Sequence, residues 1–163
     1  MLDVFAITAP GLEALCAAEL SSLGIRGTVV DGGVAWSGSI ETVARANLWL
    51  RTASRVVVRV AEFKAKAFFE LELHAKKIEW ARWIAREGAV EFRVTCRKSK
   101  LYHSDAVAER FAQAVTRRVR SAQIVSGKKS DEDDDKSKPS TPASLPQLFI
   151  VRFLHDVCTV SVD

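Results

Sequence analysis

The first sixty-three residues switch repeatedly between an apolar repeat of two and one of about 3.6, and that alternation limits the folds open to the chain. Leu2 to Thr8 alternates and reads as a strand. Pro10 suits the first turn of a helix that carries Leu12, Leu15, Cys16, Leu20 and Leu23 and stops at Gly24. Val29 and Val30 meet Val34, Ala35 and Trp36 across Asp31-Gly32-Gly33, a hairpin signal. Ser39 caps a second helix with Ile40, Val43, Ala44, Asn47 and Leu50 along one face. A strand from Arg55 to Phe63 closes the series, with Arg55 and Arg59 on the face opposite Val56, Val58 and Val60, where the arginines meet solvent or a partner. Strand, helix, strand, strand, helix, strand is the split βαβ order of ferredoxin-like folds.

After Phe63 the pattern becomes helical. Phe68, Leu71 and His74 or Ala75 mark one short helix, and Ile78, Ala81, Trp83 and Ile84 a second that ends at Gly88, with Trp80 and Trp83 as packing residues. A strand over Val90 to Arg97 follows, then an amphipathic helix from Ser104 to about Ser121. Its apolar stripe is Ala108, Phe111, Ala112, Val115 and Val119, and its basic face includes Arg110, Arg117 and Arg120. Residues 123–146 hold a run of charges and then Ser, Thr and Pro without apolar periodicity, which predicts a disordered insertion. Leu148 to Leu154 and Val157 to Val162 flank His155-Asp156 as a closing hairpin. The second half thus reads helix, helix, strand, helix, strand, strand, and the whole is α+β.

Charge divides the chain unevenly. Between residues 51 and 120 seventeen basic residues stand against eight acidic ones, a net +9, whereas residues 1–50 carry −3. A basic segment of this density suits a polyanion, because Lys and Arg that neutralise phosphates release condensed counterions. A solvated, solubilising surface is the plainer reading. No apolar run approaches the ~20 residues that span a bilayer, and the N-terminus lacks a basic region ahead of an apolar stretch, so the expectation is a cytoplasmic protein without membrane contact. Cys16, Cys96 and Cys158 lie far apart inside apolar patterns, which points to buried thiols and to neither a disulfide nor a metal site.

The stretch VTCRKSKLYHSDAVAERF, from Val94 to Phe111, joins the basic segment to a helix start. Arg97, Lys98, Ser99, Lys100, Tyr102 and His103 form a cationic, hydroxyl-bearing and aromatic loop ahead of Ser104. Helix N-termini present unpaired N–H groups to anions, and the rings suit stacking on an unpaired base. Asp105 competes with an incoming phosphate, and a surface connector explains the loop as well.

The stretches APGLEALCAAEL, DGGVAWSG, ANLWLRTASRVVVRVAEF, KSKLYHSDAVAERF and CTVSVD, in this order, resemble the N-terminal half of bacterial-type RNA guanine methyltransferases that modify large-subunit ribosomal RNA. The resemblance implies a ferredoxin-like domain over 1–64 and a THUMP domain of ααβαββ order over 65–163. It also implies binding of ribosomal or transfer RNA, with Lys98 to His103 as the matching segment and Arg51 and Arg55 as further candidates. Arg59, Arg97, Arg110 and Arg117 complete the expected RNA-binding set. Family members carry a glycine-rich loop for S-adenosylmethionine and an Asn-Pro-Pro-aromatic motif in a domain that follows. This chain ends at Asp163, has no G-x-G-x-x-G and no adjacent prolines. The expectation is therefore an RNA-binding module without catalytic residues or a cofactor of its own, recruiting RNA to a downstream or separate methyltransferase domain that uses S-adenosylmethionine.

A protein-interaction module is the alternative, its sheet or the Arg110, Arg117 and Arg120 face docking an acidic partner or a separate catalytic subunit. A stand-alone enzyme is the weakest reading. Ser104 beside His103 has no supporting signature and is more simply a helix cap.

Overall fold

The computed structural model describes residues 1–125 and 145–163, so most of the insertion expected at 123–146 lies outside the described residues. The chain divides into two compact units, Met1–Val60 with Ser161–Asp163, and Ala61–Val160. Both mix helices with strands.

In the first unit β1 (Leu2–Thr8), α1 (Glu13–Ser22), β2 (Thr28–Val30), β3 (Gly33–Gly38), α2 (Ile40–Trp49) and β4 (Ala53–Lys64) follow the order read from the sequence. The strands lie in the order β2-β3-β1-β4 with β1 antiparallel to both neighbours, which is the ferredoxin-like arrangement. Central β1 is covered on both faces, and Val4, Phe5 and Ala6 are all buried. β3 begins at Gly33, and the position admits only glycine because a Cβ there would lie 2.0 Å from the Ala6 carbonyl oxygen.

The helices depart from their expected faces and ends. Pro10 sits in the turn before α1, which starts only at Glu13, where the carboxylate accepts the N–H of Gly11 at 2.8 Å. α1 buries Cys16 and Leu20 and leaves Leu15 exposed; α2 buries Val43 and Ala46 and leaves Ile40 and Ala44 outside. The small Ala46 is fully buried, a position that a count of large apolar residues passes over. Ser39 holds the N-cap position of α2 without a side-chain capping bond, and its carbonyl accepts the Thr42 hydroxyl at 2.7 Å instead.

One acidic side chain ties α1 to the segment that leads into β4. Glu19 Oε2 accepts the N–H of Arg51 at 3.1 Å, the N–H of Thr52 at 3.2 Å and the Thr52 hydroxyl at 2.8 Å. Partial desolvation pushes the Glu19 carboxyl up. The hydrogen bonds from Thr52 and Arg51, with the nearby Arg51 guanidinium, outweigh it and hold the carboxyl below its ordinary value.

The second unit contains α3 (Phe68–Ala75), a 3-10 turn (Trp80–Arg82), β5 (Ala89–Arg97), α4 (Ser104–Arg118), β6 (Gln123–Val125), β7 (Gln147–Leu154) and β8 (Val157–Val162). Its strands follow the order β8-β7-β5-β6, and β5 runs parallel to both β6 and β7. The helix expected over Ile78 to Ile84 is only the 3-10 turn, since Trp80 folds inward and is fully buried. Its Nε1 donates to the Ala75 carbonyl at 2.9 Å, and its ring meets Phe92, Phe111 and Phe149 edge-on at 6.0, 6.0 and 5.3 Å. β6 is a second correction. Gln123–Val125 was expected inside the insertion, yet it pairs with Ala89–Glu91 of β5, and three residues are too few to register as a period. α4 buries Val107, Phe111, Ala114 and Val115, so Ala108 and Ala112 sit at the margin of its packed face.

Two measurements check this account. Trp80→Ala should lower the urea-unfolding free energy of the second unit by about 3–5 kcal/mol, read by circular dichroism. A carboxyl whose folded value is lowered contributes stability above its ordinary value of 4.5, which is lost as pH falls through the folded value. Urea midpoints taken between about pH 5 and pH 3 should therefore fall more steeply in the native protein than in Glu19→Gln.

Candidate nucleic-acid interface

β5, α4 and β6 form a crossover between adjacent parallel strands, and the loop 98–103 leaves the carboxyl end of β5 for the N-terminus of α4. In open α/β arrangements this edge, beyond the strand ends, is where ligands dock. The loop is tightly held. Leu101 points inward and is 5% exposed, which leaves Lys98, Lys100, Tyr102 and His103 on the outside. Lys98 adopts a left-handed backbone, φ 47°, and the bonds that follow hold the chain in that turn. The Ser99 hydroxyl donates to the Arg97 carbonyl at 3.0 Å and accepts the Asp156 N–H at 3.0 Å, while the Lys100 N–H donates to Asp156 Oδ1 at 2.7 Å.

At the end of the loop Tyr102, 69% exposed, lies against His103 with ring centroids 4.0 Å apart and a 41° tilt. His103, and not Ser104, occupies the N-cap position of α4, and no side chain caps the helix. Ser104 begins the helix. The expected capping role for Ser104 fails because His103 already carries the extended backbone that an N-cap requires, and its carbonyl accepts the Val107 N–H at 3.1 Å. Exposed Asp105 in the first turn is the opposing charge.

The structure divides the other expected contact residues. Arg97 is exposed at the end of β5, next to the loop. Arg110 forms an ion pair with Glu72 at 2.8 Å and lies over the Phe68 ring at 5.6 Å, so its guanidinium joins α4 to α3. Arg117 is exposed in the last turn of α4, about 20 Å along the helix from His103. Arg51, Arg55 and Arg59 belong to the first unit. Arg51 is 91% exposed and borders Glu19; Arg55 pairs with the Asp163 carboxylate; Arg59 packs its guanidinium over Phe5 at 4.4 Å. Sequence periodicity placed Arg55 and Arg59 toward solvent or a partner; Arg55 is exposed and Arg59 half-buried, and each also has an intramolecular partner.

Asp156 is the residue that sequence reading missed. The His155-Asp156 dipeptide was legible as a hairpin turn, but nothing local signals a bond to a loop more than fifty positions earlier. The thiols add no nucleophile: burial pushes the thiol of Cys16 up, that of Cys96 likewise, and that of Cys158 further, with Cys96 adding to the effect. Among the described residues no three His, Cys, Asp or Glu side chains gather as a metal site, and no helix is long and apolar enough to cross a membrane.

Residues 3–57 match the family described as the RlmL ferredoxin-like domain. The "Putative RNA methyltransferase YpsC" of Bacillus subtilis (strain 168) is 48% identical over 82 residues, which cover 50% of this chain and 21% of the relative. The "Ribosomal RNA large subunit methyltransferase K/L" of Syntrophotalea carbinolica is 36% identical over 120 residues, 73% of this chain and 17% of the relative. A solved structure named as a "predicted N6-adenine-specific DNA methylase" from Listeria monocytogenes matches with a TM-score of 0.79 at 28% identity, over 99% of this chain and 40% of that one. The chain thus spans about a fifth of the length of these two curated relatives. By sequence and by fold it is related to nucleic-acid methyltransferases, among them proteins named for RNA.

Proposed function

We propose that this chain is an RNA-holding module of a methyltransferase, with a ferredoxin-like domain over 1–64 and a THUMP domain over 65–163. The observation that carries the reading is the loop after β5, whose Arg97, Lys98, Lys100, Tyr102 and His103 are all exposed while Leu101 anchors it from below. Arg97, Lys98 and Lys100 neutralise phosphates. Tyr102 and His103 offer ring faces to an unpaired base, and the uncapped first turn of α4 adds N–H donors. Such a surface selects structured RNA by shape and backbone, not by duplex sequence. Relatives named for ribosomal RNA favour a ribosomal substrate over transfer RNA. Arg117 and the arginines of the first unit are secondary contacts.

The turn from β5 into α4 does not suit S-adenosylmethionine, the methyl donor that the resemblance implies. Nucleotide-type cofactors approach the backbone closely through glycines at a strand-to-helix turn. The turn between β5 and α4 contains no glycine, and Leu101 fills it. Methyl transfer to guanine is assigned to the methyltransferase domain of the parent protein, and this module delivers the RNA. The adaptor reading loses part of its docking face, because Arg110 is held by Glu72.

RNA affinity measured against salt tests the proposal. A hairpin RNA with an unpaired tail should bind the full chain with log Kd rising steeply with log salt, and Lys98→Ala with Lys100→Ala should flatten that slope by about 1 per lysine at unchanged melting temperature. Absence of binding at low salt, or tight binding indifferent to salt, would overturn it.

A further inference from the structure

Three connections of the second unit meet at one residue. Asp156 is the second central residue of the two-residue turn between β7 and β8, with φ 64°, and His155 before it has φ 50°. Two left-handed residues in a two-residue hairpin make a type I′ turn, for which Asp is an ordinary choice. The destinations of its polar groups are not ordinary. Its N–H reaches Ser99 and its carboxylate receives the Lys100 N–H, which fixes the β5–α4 loop; its carbonyl receives the Ala65 N–H at 2.9 Å, which fixes the connection from β4 to α3. Lys66, next along that connection, is exposed, and so is His155. The Lys66 N–H donates to Glu70 Oε2 at 2.6 Å.

A carboxylate that bonds the Lys100 backbone, beside a loop and a connection that carry Lys98 and Lys66, opposes the binding of an anion by its charge alone. Its hydrogen bond gives it a different use. We infer that Asp156 is a positioning residue for the RNA-binding loop, and that by anchoring the β4–α3 connection beside that loop it adds Lys66 and His155 to the side chains that meet a phosphodiester backbone. The inference rests on the RNA-binding reading above and goes beyond it, since no sequence signal links these segments.

Two substitutions separate position from charge. Asn and Gly both tolerate the left-handed backbone at 156, but only Asn keeps an oxygen for the Lys100 N–H. In the full chain, with the same hairpin RNA, Asp156→Asn should bind within about twofold of the native protein or more tightly, whereas Asp156→Gly should bind at least about fivefold more weakly with a flatter salt slope. Equal tightening by both variants would reduce Asp156 to a repelling charge, and no change in either would show that the turn does not bear on the loop. Either result overturns the inference. Lys66→Ala, a surface change that leaves the hydrogen bonds intact, guards against a Gly variant that merely unfolds. It should weaken binding about threefold, and an unchanged affinity removes Lys66 from the site. Native protein that binds RNA through Lys98 and Lys100 but fails these tests sinks only this inference; native protein that binds no RNA sinks the reading beneath it.

Discussion

The buried ring of Trp80 is the contact on which the second unit depends. It sits between β5, α4 and β7, meeting Phe92, Phe111 and Phe149 edge-on, and Phe92 in turn stacks on Phe111 at 5.8 Å and on Phe149 at 5.5 Å. Edge-to-face and offset contacts have defined geometry as well as buried area. The strand and the helix at the two ends of the candidate loop are thereby locked to one another. A loop with both ends fixed and Leu101 buried beneath it is held in one shape; under the proposed RNA-binding role, that lowers the ordering cost of binding.

Charge count and available charge differ in this protein. The segment from 51 to 120 carries +9, yet Arg55, Arg59 and Arg110 are engaged with Asp163, Phe5 and Glu72. Exposed ion pairs of this kind add little stability, but they remove cations from the set that can face a polyanion without competition. Arg97, Lys98 and Lys100 remain exposed around the loop.

The first unit shows how far local pattern reaches. Its six elements and their order were legible because each strand has a two-residue repeat, each helix an apolar stripe, and the turn at Asp31-Gly32 a backbone that glycine permits. Finer placement was not. The buried face of α2 includes the small Ala46, which an apolar count passes over, and β6 escaped notice because its three residues form a strand only against the open edge of β5. The turn at Trp80–Arg82 shortened an expected helix for the same reason, a tertiary need to bury one indole.

By itself, then, the sequence determined the α+β order of elements, the ferredoxin-like character of the first unit, the basic loop after β5 and the turn at His155-Asp156, because all of these follow from spacing within a few residues. Only the tertiary structure decided which arginines have partners within the protein and that Asp156 joins the loop to Ala65. Those outcomes depend on contacts between residues as far apart as 56 to 108 positions, such as Lys100 with Asp156 and Arg55 with Asp163. No local period records where such distant partners meet.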